Sequence, residues 1–240
     1  MTFHVIWLLF TFMQTELVLI ALLGGVVALD NTEAFQTMLS QPLLVGPAVG
    51  FFLSDLEGGL RIGVLLQLAY LWVMPIGTTG LPDPSVGSLA GCAGYVLLGR
   101  LFPDRPHLLL FLILLFTISF SQFCGWALIF QRRLNRRLLP RAEACAEEAD
   151  TRGLSRLFIG GLSLSFLRGM VLSALGLVCV LLLLKPLMNL LNAVTDLRLP
   201  DLQTALWGCG IGTMIYLFGR KGNLPWTACG LVVGVVLLLV

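Results

Sequence analysis

Four polar side chains stand where the surrounding sequence is apolar or broken: Asp30, Gln41, Gln67 and Asp83. Gln67 lies between Leu65-Leu66 and Leu68-Ala69. An amide in such a setting costs roughly 1–3 kcal/mol unless it is hydrogen-bonded. Two uses are open to it, a hydrogen bond between packed helices or a contact to a polar small molecule. Asp83 sits in Leu81-Pro82-Asp83-Pro84, just after Gly77-Thr78-Thr79-Gly80. The proline that follows Asp83 keeps its backbone extended or turned. A carboxylate there either caps the next helix or accepts hydrogen bonds from a hydroxylated ligand. The run Asp30-Asn31-Thr32-Glu33, with Gln36 and Gln41, reads either as a solvated loop or as part of the same site. Amides supply donors and acceptors and carboxylates supply acceptors, so these residue types can hold a polar small molecule.

Covalent chemistry has no comparable signature. There is no HExxH, GxSxG or P-loop pattern and no acid-rich metal motif. His4 and His107 are the only histidines, so a phosphohistidine step on this chain is not expected. The closest two of the six cysteines are 20 residues apart, and five of the six lie in apolar stretches where a thiol behaves as a small hydrophobe. No catalytic residue, metal site or cofactor is expected. Glu16 and Arg168 are lone charges in apolar runs, open to pairing with each other or with a partner subunit. Trp72, Trp126, Trp207 and Trp226 fall near or within apolar ends, where interfacial anchoring is the default reading and stacking on a sugar the minor one.

The elements that position these residues follow from composition. Hydrophobic residues make up 58% of the 240 positions and charged ones 12%, with a mean hydropathy of +0.94. A soluble domain carries about 25% charge. These values exclude a disordered chain, a nucleic-acid-binding domain and an ordinary soluble enzyme, and they predict an all-α polytopic membrane protein. A spanning helix needs about 20 apolar residues. Residues 5–29, 108–130, 157–184, 202–219 and 224–240 each qualify or nearly so, with 185–201 reading as a polar connector. No Lys or Arg precedes Arg61, so a cleaved signal peptide is not expected, nor is a soluble domain appended at Val240.

The two halves differ. Residues 34–54 and 62–82 are uncharged but interrupted by Pro, Gly and amides, and 55–59 reads as a turn. Residues 85–99 are short and glycine-rich. Non-helical backbone at membrane depth survives only beside protein or a water-filled cavity, and interrupted segments are the best pointer to a transporter's binding site. Broken or re-entrant helices are therefore expected in the first half, with 30–99 as the substrate-site region of one membrane domain covering 1–240. Between Arg132 and Arg156 lie seven arginines and four acids. That segment, 131–156, suits a helix that Pro140 breaks or kinks, and its arginines place it on the cytoplasmic side against anionic lipid, with a soluble partner as an alternative.

A known family resembles this order of motifs. The residues are Leu29-Asp30 and Phe35-Gln36-Thr37-Met38-Leu39-Ser40-Gln41-Pro42-Leu43, then Gly46-Pro47, Gly50-Phe51-Phe52-Leu53-Ser54-Asp55-Leu56-Glu57-Gly58-Gly59-Leu60 and Gly63-Val64-Leu65-Leu66-Gln67-Leu68. Pro75-Ile76-Gly77 and Pro82-Asp83 complete the series. Together they resemble the IIC membrane subunit of the mannose-class bacterial phosphotransferase system, which takes in mannose, fructose, sorbose and N-acetylgalactosamine transporters. The resemblance implies a multi-pass protein of the bacterial inner membrane that moves a hexose-type sugar by an elevator-like motion. It implies a IID-type membrane subunit as partner in an oligomer, and soluble IIA and IIB proteins that carry phosphate to the sugar. Gln67, Asp83, Gln41 and Asp30 are then the candidate sugar-site residues. This chain has Gln67 where the family commonly has glutamate, and Thr78-Thr79 where small apolar residues are common. A phosphorylation-independent transporter and a non-transporting scaffold subunit are the alternatives.

Overall fold

The computed structural model describes residues 2–34, 36–71, 73, 82–191, 200–218 and 225, with side chains described from Gln14 onward except those of 200–203, 214, 217 and 218. Among these residues there are eight helices and no strand. They are α1 (Thr2–Thr32), α2 (Pro42–Phe52), α3 (Leu56–Ala69), α4 (Pro84–Leu101), α5 (Pro106–Arg136), α6 (Leu139–Glu147), α7 (Thr151–Leu190) and α8 (Pro200–Phe218).

Among the described residues three stretches are long and apolar enough to cross a membrane: Gln14–Thr32, Pro106–Glu147 and Thr151–Leu190. At 1.5 Å per residue, α5 and α7 extend for roughly 46 and 60 Å, well beyond a hydrocarbon layer of about 30 Å. α5 ends, and α7 begins, at the arginine-rich end. There α5 stops at Arg136, two residues turn, and Pro140 sits in the first turn of α6, where its missing N–H costs nothing. The expected break is thus a start. Pro186 is a correction of the opposite kind. Residues 185–190 are not a connector, because α7 runs through Pro186 to Leu190. Lipid-embedded helices tolerate such a proline because neighbouring groups satisfy the freed carbonyl. Of the interrupted segment expected at 62–82, α3 covers the part up to Ala69, while residues 72 and 74–81 lie outside the described residues, as does the span expected at 224–240 apart from residue 225.

In the first half, α2 has 11 residues and α3 has 14. At roughly 16 and 21 Å neither crosses the bilayer. They form an antiparallel hairpin whose helices touch backbone to backbone: a Cβ on Gly59 would lie 2.7 Å from the Gly50 Cα, and one on Gly46 would lie 2.6 Å from the Gly63 Cα. The turn is shorter than 55–59, because Asp55 caps α3 by accepting from the Gly58 N–H at 2.9 Å and the helix begins at Leu56. Ser54 takes the sharp corner with a φ of 58°.

The glycine-rich segment becomes α4, the central helix, buried on almost every side. Small residues let its neighbours close in. Gly87 and Gly91 face Ser121 and Thr117 of α5, and Gly94 faces Val180 of α7. On α1, Gly24 and Gly25 meet Gly169, Ser173 and Phe166 of α7. Val45, Val49, Ile62, Leu66, Leu89, Val96, Ile113, Leu177 and Val180 form the apolar core between these helices.

Candidate functional site

The last turn of α1 places Asp30 and Asn31 side by side, and each leads to a different polar cluster. Asp30 is buried. Its Oδ1 accepts from the Thr37 N–H at 2.8 Å and the Thr37 hydroxyl at 2.7 Å, and its Oδ2 accepts from the Ser40 N–H at 2.8 Å. These bonds pin a loop that carries two left-handed non-glycine residues, Gln36 (φ 50°) and Met38 (φ 65°). Such backbone costs free energy, and charge-assisted bonds to one carboxylate offset it.

The pinned loop delivers Gln41 to the start of α2. Its own side chain does not cap that helix. Gln67, from the last turn of α3, does so instead: its Oε1 accepts from the Leu43 N–H at 3.3 Å, one of the donors a helix start leaves open. The Gln67 Nε2 donates to the Gln41 Oε1 at 3.3 Å. The two amides therefore meet at the open end of the α2–α3 hairpin. Each retains hydrogen-bonding capacity that no described residue uses, since an amide has two donors and two lone pairs.

Asn31 donates to Asp83 Oδ1 at 3.1 Å. Asp83 is the N-cap of α4 and accepts from the Ser85 N–H at 3.2 Å. Its Oδ2 pairs with Arg168 Nη1 at 2.9 Å, with the Asp83 side chain fully buried and that of Arg168 7% exposed. The Asp83 N–H donates to the Ser121 carbonyl at 3.0 Å, about halfway along α5. Tyr70, just past α3, closes the cluster with a 2.6 Å hydrogen bond shared with the Ser121 hydroxyl.

The structure thus brings Gln41 and Gln67 into direct contact, lets Asp30 hold the loop that presents Gln41, and joins Asp83 to this group through Asn31. Both carboxylates have protein donors on each oxygen, so the amides are the more open groups. The pairing of Glu16 with Arg168 is overturned. Arg168 pairs with Asp83, and Glu16 faces Arg100 at 3.7 Å, so each charge has an opposite charge within this chain. Thr37, Ser40, Tyr70 and Ser121 escaped sequence reasoning. Arg168 and Asp83 did carry a signal: they are opposite charges in otherwise uncharged surroundings. Trp126 and Trp207 are exposed on α5 and α8, while Trp72 and Trp226 lie outside the described residues. Cys92, Cys124, Cys145, Cys179 and Cys209 are unpaired. Among the described residues no three His, Cys, Asp or Glu side chains gather as a metal site.

The fold is an all-α membrane bundle with a short helical hairpin and a buried polar cluster. Residues 4–239 match the family described as PTS system sorbose-specific IIC component, and the chain belongs to that family. N-acetylgalactosamine permease IIC component 1 of Escherichia coli K12 is 29% identical over 127 residues, covering 50% of this chain and 42% of the relative. Putative N-acetylgalactosamine permease IIC component 2 of the same strain is 28% identical over 83 residues, covering 34% of this chain and 62% of the relative. The chain therefore matches about half the length of these curated relatives. A solved structure described as a membrane protein superposes with a TM-score of 0.71 at 19% identity, covering 92% of this chain and 86% of the other. A cryo-EM structure of mannose transporter ManYZ with microcin E492 superposes with a TM-score of 0.57 at 18% identity, with the same coverage. These two likenesses show the fold.

Proposed function

We propose that this chain is the sugar-translocating IIC subunit of a phosphoenolpyruvate-dependent phosphotransferase system in the bacterial inner membrane. It moves a hexose-type sugar, and partner subunits phosphorylate it. The observation that carries the reading is the Gln41–Gln67 amide pair at the open end of a hairpin too short to cross the bilayer. Re-entrant elements of this kind place polar groups within the membrane without a spanning helix between them. Family membership supplies the reaction class.

Gln41 and Gln67 bind sugar hydroxyls. Asp30 is a positioning residue for Gln41, and Asp83 holds α4 and α7 in register beside the site. Phosphate reaches the sugar from soluble IIA and IIB proteins, and a IID-type subunit completes the membrane assembly. Segment 131–156 faces the cytoplasm. The substrate-bearing hairpin moves against the α1–α5–α7 scaffold as a rigid body. Membranes carrying this chain with its IID-type subunit, supplied with phosphoenolpyruvate and the soluble carriers, are expected to form a sugar phosphate from N-acetylgalactosamine, mannose or sorbose. Accumulation of free sugar without phosphoenolpyruvate would overturn the coupling, and formation of no sugar phosphate across a wider hexose panel would overturn the function.

A further inference from the structure

Glu16 remains unexplained by the amide site. An acid in an apolar span is costly and marks a functional position by default. Its nearest cation is Arg100, in the last turn of α4. The 3.7 Å separation leaves the pair without a hydrogen bond, with the Glu16 side chain 14% exposed and that of Arg100 42% exposed.

Both residues line a cavity of about 610 Å³, bounded by α1, the α2–α3 turn and the end of α4. Thr15, Glu16, Phe52, Ser54 and Arg100 are on its wall. The volume is in the range of small-molecule sites, about 300–1,000 Å³. The wall chemistry is that of a polyol site. A carboxylate accepts from two hydroxyls, a guanidinium donates through its fork, and serine and threonine hydroxyls do either. Phe52, half of whose surface is open, offers an apolar face to the C–H side of a sugar ring. One positive and one negative group leave the wall without net charge, which suits a neutral ligand.

Its place in the fold gives the cavity a direction. It lies at the turn end of the α2–α3 hairpin, while Gln41 and Gln67 meet at the open end, one α2 length or roughly 16 Å away. It also lies at the end of the bundle opposite Arg136, which the arginine count places outside.

We propose that this cavity is a first docking site for the neutral hexose-type sugar on the outer face, with Glu16 as acceptor and Arg100 as donor, from which the sugar passes along the hairpin to the amide pair. The site rests on the transport reading above.

The test uses intact cells expressing the chain with its IID-type subunit and carrying Ser54→Cys. A membrane-impermeant maleimide is applied, and modification at position 54 is read by peptide mass spectrometry, so the native cysteines stay in place. Position 54 is expected to label from outside. Whichever of N-acetylgalactosamine, mannose or sorbose the same cells phosphorylate is expected to slow labelling severalfold. Protection should persist with Gln67→Leu, which weakens the inner site, and disappear with Glu16→Leu. The KM for uptake should rise about five- to a hundredfold in Glu16→Leu and less in Glu16→Gln, which keeps an acceptor and the side-chain shape. No labelling in intact cells, labelling unaffected by a sugar that is taken up, or protection abolished by Gln67→Leu would each overturn the docking site and leave the transport reading standing. Absence of any sugar phosphorylation would overturn both.

Discussion

Gln67 completes the first turn of α2 through Leu43 and keeps a donor and an acceptor available beside Gln41. Replacing it with leucine removes the cap and both of the groups proposed to bind sugar. Each unmet partner in a partly dry site costs about 1–3 kcal/mol, so Gln67→Leu is expected to weaken sugar binding about five- to a hundredfold in equilibrium binding to folded protein. Gln67→Glu keeps the acceptor for Leu43 and should lose less. Unchanged affinity in well-folded Gln67→Leu protein would remove Gln67 from the site. Asp83 belongs to a different argument, because its removal strands Arg168 as a buried, unpaired cation. Breaking such a pair costs about 3–5 kcal/mol. Asp83→Ala is therefore expected to lower folded yield and thermal stability. Asp83→Asn combined with Arg168→Gln keeps an acceptor at the α4 cap and removes both charges, so thermal unfolding should show most of the loss restored.

The α2–α3 hairpin is the element on which the proposed site depends, and its rigidity comes from what its helices lack. A Cβ on Gly59 would stand 2.7 Å from the Gly50 Cα and 2.9 Å from the Gly50 N, both backbone atoms with nowhere to go. Overpacking of this kind costs about 1–3 kcal/mol or more. Gly59→Val is expected to lower the melting temperature in detergent and to reduce sugar binding by parting Gln41 from Gln67. Gly160 makes the matched control. A Cβ there meets nothing within 4 Å, so Gly160→Ala should leave stability unchanged or raise it by up to about 1 kcal/mol. Both glycines look alike in a list of residues. Their difference comes from the partner helix, which only Gly59 touches.

Across the whole molecule, charge is asymmetric, and the asymmetry predicts an orientation. α5 ends and α7 begins where Arg132, Arg133, Arg136, Arg137 and Arg141 cluster, and α6 lies there with a half-buried Cys145. On the positive-inside rule this end is expected on the cytoplasmic side. Cys145 is expected to resist a membrane-impermeant thiol reagent in intact cells and to react after permeabilisation, as read by mass spectrometry of its peptide. Labelling before permeabilisation would invert the topology and move the Glu16–Arg100 cavity to the inner face.

Run length and composition alone decide that this is an all-α membrane protein, because a hydrocarbon layer about 30 Å thick imposes its own length on any helix that crosses it. The same reasoning marks the first half as the interrupted half, since Pro, Gly and amides are visible as letters, and the order of motifs from Asp30 to Asp83 carries the family. Contacts are another matter. Gln41 and Gln67 are 26 residues apart, Glu16 and Arg100 are 84 apart, and Asp83 and Arg168 are 85 apart. No periodicity links such positions. Glu16 and Arg168 look like natural partners in the sequence, yet they sit on helices that pack antiparallel, and each meets a charge from α4 or its cap instead. The choice of partner follows from which small residues let which helices approach: Gly24 with Gly169, Gly91 with Thr117, Gly46 with Gly63. Close packing of three-dimensional surfaces settles those contacts, and the polar groups carried on the surfaces meet as a consequence.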